Sequence, residues 1–592
     1  MSGITAPKSV FKLALLATCA PLLATLFQIA RDHYHPARDL AVIEITVRNV
    51  GTRATPLVGA WSRFGWSHPG PLPFYVFALP YRMLGNAPAG LELGALVVNA
   101  AAIVATLVIV RPRGRLVVLV AAAGLLAMQL GLAANVLRNP WNVDVPLFPF
   151  VLLLVAAADS TQGRRLSLVI APLAATFVVQ AHAGYIALAA PAIACWVVAI
   201  VLSRHDARTM RATAWATLAA LVLWLPVIAD AVVHRGGNLR RIVHWSLSSE
   251  PGAGYSTAAH LLGDAGSLRF PFLDGLTSNG FLEISRTKMG LAPGVLFVAM
   301  LVALGLVWRR SSALRVALVL LFATWLVALP ASARIGGTLY PHLFFWSLPL
   351  GMLSWACIVL AVGVRWHQVV SASVLSTVTV VALIGVIALA ATTAHRVVTT
   401  GPPDADVKSV IATFSRATLR ELHGRKTVVI DRTDDYIDLG RAQAGMMAHL
   451  QHYGVTALVP RLASRSYADN VIDNLTIYTS RRVAARTSGK LILLIAGRES
   501  RLRAPGVLIA ESDPLTPVEQ RRWLADYRQV SDALVATGHR DLVSVLSTSG
   551  AYIAAYRSGS TLTALTPELN ELMALNRRGE PEVLWAVRPL SQ

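Results

Sequence analysis

Nearly uncharged apolar runs of membrane-crossing length recur through the first 393 residues of this chain and then stop. A helix needs about 20 consecutive apolar residues to cross the hydrocarbon core of a bilayer. Runs at 10–30, 89–110, 116–134, 143–158, 166–181, 184–203, 213–233, 290–308, 316–331, 343–363 and 369–393 meet or approach that length. With 55% hydrophobic and 14% charged residues among 592, the chain is too apolar for a soluble enzyme and too long for one domain. The expected fold class is an α-helical polytopic membrane domain of about 11 transmembrane helices over residues 1–395, followed by an extracytoplasmic α/β domain over 396–592.

Loops that stay in the cytoplasm keep Lys and Arg, so the basic residues orient the spans. Lys8 and Lys12, then Arg111, Arg113 and Arg115, Arg164 and Arg165, Arg204, Arg208 and Arg211, Arg309, Arg310 and Arg315, and Arg365 occupy alternate connections. This pattern places the N-terminus in the cytoplasm and the C-terminal domain outside the cell membrane. No small-residue cleavage site follows the first span before the charged 31–38 stretch, so that span reads as an anchor. The excess of 53 basic over 32 acidic residues is largely this topology signal, and it also suits anionic lipid or a phosphate-bearing substrate. No basic stretch is interleaved with aromatics in the manner of a nucleic-acid surface. Cys19, Cys195 and Cys357 all fall within spans, without the spacing of a metal site.

Before residue 400 there are only 12 carboxylates, and two of them, Asp39 and Glu44, follow the first span on an outward loop. Acids at a bilayer are costly and mark functional candidates, here a catalytic base. Leu40, Ile43, Val47 and Val50 recur at helical spacing and predict a short interfacial helix with its apolar stripe toward lipid. Asp39 would equally serve as its N-cap, and Glu44 and Arg48 as a plain i,i+4 pair. The next outward segment, running from Gly65 to Tyr75, holds three prolines and two glycines and predicts a broken or re-entrant stretch that can aim His68 into a cavity. Further outward turns carry Arg138 and Asn142, Gln180 and His182, and Arg334, Tyr340 and His342. Gly336 and Gly337 in the last of these would let backbone amides approach an anion.

Asp39-Leu40-Ala41-Val42-Ile43-Glu44, the Gly-Trp-Ser-His-Pro-Gly-Pro-Leu segment from Gly65, Arg138-Asn139-Pro140-Trp141-Asn142 and Gln180-Ala181-His182-Ala183-Gly184-Tyr185 together resemble an actinobacterial group of integral-membrane glycosyltransferases. That group is similar to the wider GT-C superfamily, and the likeness covers roughly residues 10–393. The resemblance implies a GT-C-like membrane domain that takes a sugar from a polyprenyl-phosphate donor and passes it to a cell-envelope glycan or lipid acceptor on the outer face. It implies that Asp39, with Glu44 as a second acid, activates the acceptor hydroxyl by general-base, inverting chemistry. The intervening Leu-Ala-Val-Ile departs from the adjacent or once-separated acids usual in such enzymes. Arg48, His68, Arg138, Asn142, Gln180, His182, Arg334, Tyr340 and His342 are the candidate substrate-binding residues, with Arg48, Arg138, His182, Arg334 and His342 able to offer the departing phosphate positive charge or donors. A transporter or lipid flippase, or a non-catalytic scaffold for envelope assembly, are the other classes compatible with such a chain. Against transport, neither internal repeats nor midplane polar clusters stand out.

Beyond residue 394 the composition becomes that of a soluble domain. Strands at 426–430 and 455–459 flank a helix at 440–453 as a βαβ unit, with further strands at 491–496 and 551–556 and a helix at 517–537. Asp431, Asp434, Asp435 and Asp438 follow the first strand, where four acids suffice for a divalent cation and surface charge explains them equally. No motif requires a cofactor.

Overall fold

The computed structural model describes residues 7–62, 64–248, 252–266, 292–336, 339, 341–366, 371–405, 407–432, 441–460, 478–479, 491–502, 506–546, 554, 558–576, 578 and 582–587. They form two compact units, Met1–His33 with Val47–Pro403, and Tyr34–Thr46 with Asp404–Gln592.

The first unit is helical. In chain order come α1 (Lys8–Arg31), α2 (Arg38–Asn49, of which 47–49 belong here), α3 (Leu72–Met83), α4 (Ala89–Val110), α5 (Arg115–Gly131), α6 (Leu147–Ser160), α7 (Arg165–Ala181) and α8 (Tyr185–Ser203). They are followed by α9 (Ala207–Val222), α10 (Leu225–Val233), α11 (Gly237–Leu247), α12 (Gly254–Gly266), α13 (Ala292–Val307), α14 (Ser312–Ala333), α15 (Ser347–Trp366) and α16 (Ala372–Thr399). Every expected span is a helix, the seventh being broken into α9 and α10 just before Pro226. Among the described residues seven helical segments are long and apolar enough to cross a membrane, and α5, α6, α7 and most of α13 are shorter apolar helices. The protein is therefore a multi-pass membrane protein. The short α6 is buried almost throughout and packs on α4, α7, α8, α14 and α15, so its neighbours rather than lipid surround it.

The expected break around Gly65 takes a specific form. Residues 59–68 close a small hairpin, with Gly59 N donating to His68 O (2.9 Å), His68 N to Ala60 O (2.7 Å) and Ser62 N to Trp66 O (2.9 Å). Helix α3 then starts directly after Pro71 and carries Pro73 in its first turn, where proline is tolerated because those N–H groups have no helical acceptor.

The second unit is built on a six-stranded sheet: β1 (Thr427–Arg432), β2 (Thr456–Pro460), β3 (Tyr478–Thr479), β4 (Leu491–Ala496), β5 (Val507–Ser512) and β6 (Glu582–Val587), in the order β3-β2-β1-β4-β6-β5. The first four strands are mutually parallel, and β6 runs antiparallel to β4 and β5. Helices α17 (Lys408–Glu421), α18 (Arg441–His452), α19 (Pro517–Ala536) and α20 (Thr566–Asn576) complete it. The βαβ unit expected near 426–459 is thus present. The strand expected at 551–556 lies outside the described residues except for helical Ala554. This unit is discontinuous in sequence. Ala37, Ala41 and Ile45 are built into its main core beside Ile411, Phe414, Val428, Met446 and Leu493, and Asp404 accepts from Ala37 N (2.9 Å) and the Arg38 guanidinium (2.8 Å).

Candidate active site

Asp39 stands in the first turn of α2, half-buried, at the end of the helix whose unsatisfied N–H groups favour a carboxylate. It lies within the helix rather than at the N-cap position that the sequence allowed. The lipid-facing stripe is corrected: Leu40 and Ile43 are buried, and Ala37, Ala41 and Ile45 pack into the core of the C-terminal unit. Residues small or apolar on several sides make this stretch a buried element, whereas an interfacial helix keeps one wet face.

Five residues along a helix put Glu44 roughly 140° around the axis from Asp39, so the two acids do not share a face. Glu44 is 1% exposed, and its Oε1 lies 2.7 Å from His452 Nε2 on α18. His35 meets His449 edge-on, with ring centroids 5.0 Å apart, and His449 also contacts Tyr453. Burial, then the neighbouring His452, hold the His449 imidazole below its ordinary value, with Glu44 pulling the other way. Asp39 and Glu44 thus belong, as side chains, to the unit that carries the sheet.

The membrane unit gathers most of the other candidates. Arg48 donates to the Tyr81 hydroxyl through Nε and Nη2, both at 3.2 Å. Arg138, 1% exposed, reaches Asp32 Oδ2 (2.8 Å), Glu92 Oε1 (3.5 Å) and Thr400 O (3.3 Å), tying the loop before α6 to the ends of α1, α4 and α16. Asn142 is buried on that same loop, where Asn139 donates to Asp144 Oδ2 (2.7 Å).

His68, Gln180, His182 and His342 converge at one end of this unit. Gln180 accepts from Leu72 N (3.3 Å) through Oε1, donates to Leu223 O (2.9 Å) and, through its own carbonyl, accepts from Gly70 N (3.2 Å), so it clasps the hairpin to α7 and α9. Gly70 is glycine because a Cβ there would collide with the Gln180 side chain. His68 Nδ1 accepts from Ala183 N (3.0 Å), which leaves the neutral ring with its proton on Nε2. His182 Nδ1 accepts from Gly184 N (3.1 Å) in the same sense. The two imidazoles lie 4.3 Å apart, flanked by Trp66 on the His68 side and Tyr185 on the His182 side. Burial, reinforced by His182, pushes His68 well below its ordinary value, and burial with His342 brings His182 down to about 3. His342 in turn packs against Trp141, with ring centroids 4.9 Å apart. Near neutrality His68 and His182 are therefore uncharged hydrogen-bonding groups, so of the charge or donors expected of His182 it offers donors.

Arg334 is exposed at the end of α14, next to a lone bridge between Gly252 and Gly336. Tyr340, like Gly337 and the acids at 434, 435 and 438, lies outside the described residues, and the Asp431 side chain is not described. Among the described residues no group of three or more His, Cys, Asp or Glu is arranged to hold a metal ion. Sequence reading passed over Glu92, Asp32 and His452. An acid inside an apolar span, as Glu92 is, was signal enough for the first.

No protein-family model matches the chain, and no curated protein matches it either. Solved structures do. ArnT from Cupriavidus metallidurans in the apo state superposes with a TM-score of 0.51 at 12% identity, covering 84% of this chain and 95% of that one. The same protein bound to undecaprenyl phosphate gives 0.49 at 12% identity over the same shares. At that identity the likeness is one of fold, and the fold is ArnT-like.

Proposed function

We propose that this protein is a membrane glycosyltransferase that moves a sugar from a polyprenyl-phosphate carrier to a cell-envelope glycan or lipid acceptor at the outer face of the membrane. The observation that carries this reading is the ArnT-like fold over 84% of the chain, with an acid at the start of the first-loop helix. In the reaction the acceptor hydroxyl oxygen bonds to the anomeric carbon as the carbon–oxygen bond to phosphate breaks. The polyprenyl phosphate leaves with that electron pair, the hydroxyl proton passes to the Asp39 carboxylate, and the anomeric configuration inverts. Glu44, buried against His452, has the separate task of fixing α2. Neutral His68 and His182 supply donors suited to hydroxyl or phosphoryl oxygens, and the N-terminus lies in the cytoplasm with the sheet-bearing unit outside.

The test is turnover by purified protein given a panel of polyprenyl-phosphate sugars and envelope acceptors, reading release of the carrier. Asp39→Asn should lower turnover about 10²–10⁴-fold, the usual worth of a positioned base, in protein that remains folded. Unaltered turnover in a folded Asp39→Asn protein refutes the mechanism.

A further inference from the structure

Helix α11 leaves the membrane crossing formed by α9 and α10 through a tight corner, where Arg235, Gly236 and Gly237 all have positive φ (50°, 98° and 45°). The corner is locked. Asp230 faces His234 Nδ1 (2.9 Å) and accepts from Asn238 N (2.7 Å), and the buried Asn238 side chain pairs with both backbone groups of Ser67 (2.8 and 2.7 Å).

At about 100° per residue, the helix divides into three sectors. Asn238, Ile242 and Trp245 face the protein: Asn238 and Ile242 are buried, and Trp245 packs on Phe64 (4.7 Å) and Trp66 (5.4 Å). Leu239, Val243 and Leu247, spaced four apart, form an outward stripe 37%, 54% and 76% exposed. Between stripe and protein runs an exposed basic arc of Arg240, His244 and Arg241, continued at the corner by Arg235. No acid occurs between residues 231 and 247. The outward apolar surface is continuous in sequence with exposed Ile228, Val232 and Val233 of α10, which end the crossing.

We infer that α11 lies in the plane of the membrane interface, its Leu239-Val243-Leu247 stripe among acyl chains and its arginines on the phosphates of anionic phospholipid headgroups. A water-facing helix has no use for the stripe, and a buried one none for the arc. An apolar face edged by positive charge fits the boundary of a negatively charged leaflet. Through Asn238 the same helix holds the hairpin that carries His68, so the lipid contact reaches the candidate site mechanically.

The full-length protein in nanodiscs of phosphatidylcholine, with and without phosphatidylglycerol, provides the test. A nitroxide at Val243→Cys, with Cys19, Cys195 and Cys357 replaced by Ala, should relax faster with oxygen than with a water-soluble nickel chelate, and a label at Arg241→Cys should show the reverse. A Val243→Cys label that favours the nickel chelate overturns the proposal. If the cysteine replacements impair folding, the protein with its native cysteines is extracted from mixed bilayers and its retained lipids are weighed by mass spectrometry. Phosphatidylglycerol should be enriched, and the enrichment should fall about fivefold for each of Arg240→Gln and Arg241→Gln. Unchanged enrichment in both variants overturns the headgroup contact. Loss of the enrichment on adding equimolar polyprenyl phosphate also overturns it, in favour of the carrier phosphate.

Discussion

Glu44→Gln separates the two acids of α2, because the structure gives them different surroundings. Glu44 is 1% exposed and its Oε1 lies 2.7 Å from His452 Nε2, whereas Asp39 is half-buried in the first turn. The amide of Glu44→Gln keeps shape and acceptor but not charge, so the contact drops from the roughly 1.5–3 kcal/mol of a charged hydrogen bond to about 0.5–1.5 kcal/mol. His452→Leu is worse, leaving a buried carboxyl without its imidazole, at about 2–3 kcal/mol. For a unit of this size each kcal/mol moves the midpoint by roughly 2–4 °C, so His452→Leu should lower it by about 4–12 °C and Glu44→Gln by about 2–6 °C. The double variant should fall short of the sum by ~1 kcal/mol or more, as contacting residues do. Intrinsic-fluorescence unfolding in detergent reads these shifts, and carrier release at a temperature well below every midpoint reads turnover, which Glu44→Gln should leave within severalfold of the parent. A Glu44→Gln protein with an unchanged midpoint and a turnover loss as large as that of Asp39→Asn refutes the assignment and makes Glu44 a reacting group.

Three further outcomes follow from the same geometry. Because burial lowers the folded-state values of His68 and His182, the unfolded chain binds more protons below about pH 6.5, and stability is lost as pH falls from there toward the folded value of about 3 for His182. At pH 5 His182 alone should cost ~2 kcal/mol relative to pH 8, seen as a falling unfolding midpoint that His182→Gln flattens. Gly70→Ala drives a methyl group into Gln180 and should cost about 1–3 kcal/mol of stability by breaking its hydrogen bond with Leu72 N, with a matching loss of transfer. In the C-terminal unit, Arg498 and Asp513 form a fully buried two-pronged pair, both contacts at 2.7 Å, with the guanidinium over the Trp523 ring. Arg498→Met leaves Asp513 buried and unpaired and should cost about 3–5 kcal/mol in denaturant unfolding, while Arg498→Met with Asp513→Leu should recover most of it.

What the sequence revealed follows from how far each signal extends along the chain. Hydropathy is local, so every apolar run from 10–30 to 369–393 is a helix, and the break at residue 65 is a hairpin followed by a proline-initiated helix. The βαβ unit was equally visible because its strands and helix are neighbours. By contrast, the packing of Ala37, Ala41 and Ile45 with residues beyond 404 joins segments more than 350 positions apart. No periodicity near residue 40 reports that, and an apolar stripe beside a membrane span reads as lipid-facing. Strand β6 pairs antiparallel with β4 across about 90 residues and was missed for the same reason.

The site shows the same division at the level of single side chains. His68 on one hand and Gln180 and His182 on the other were nominated from two separate segments, and the structure brings them together because Gln180 clasps the hairpin and His68 accepts from Ala183 N. Their charge state was not legible: a loop histidine reads as a titrating cation until its burial and its neighbouring imidazoles are known, and these two are held neutral. That reassigns the chemistry. If neither imidazole is charged at neutral pH, positive charge for a departing phosphate falls to the remaining candidates, the arginines and His342. Arg138 is already engaged with Asp32 and Glu92, so a substrate phosphate reaching it would compete with two carboxylates. Arg48 donates to the phenol of Tyr81, and a substrate phosphate reaching it would compete with that phenol. If Arg48→Gln raises KM for the carrier-linked sugar more than Arg138→Gln does, the phosphate belongs to Arg48, and the opposite ranking gives it to Arg138.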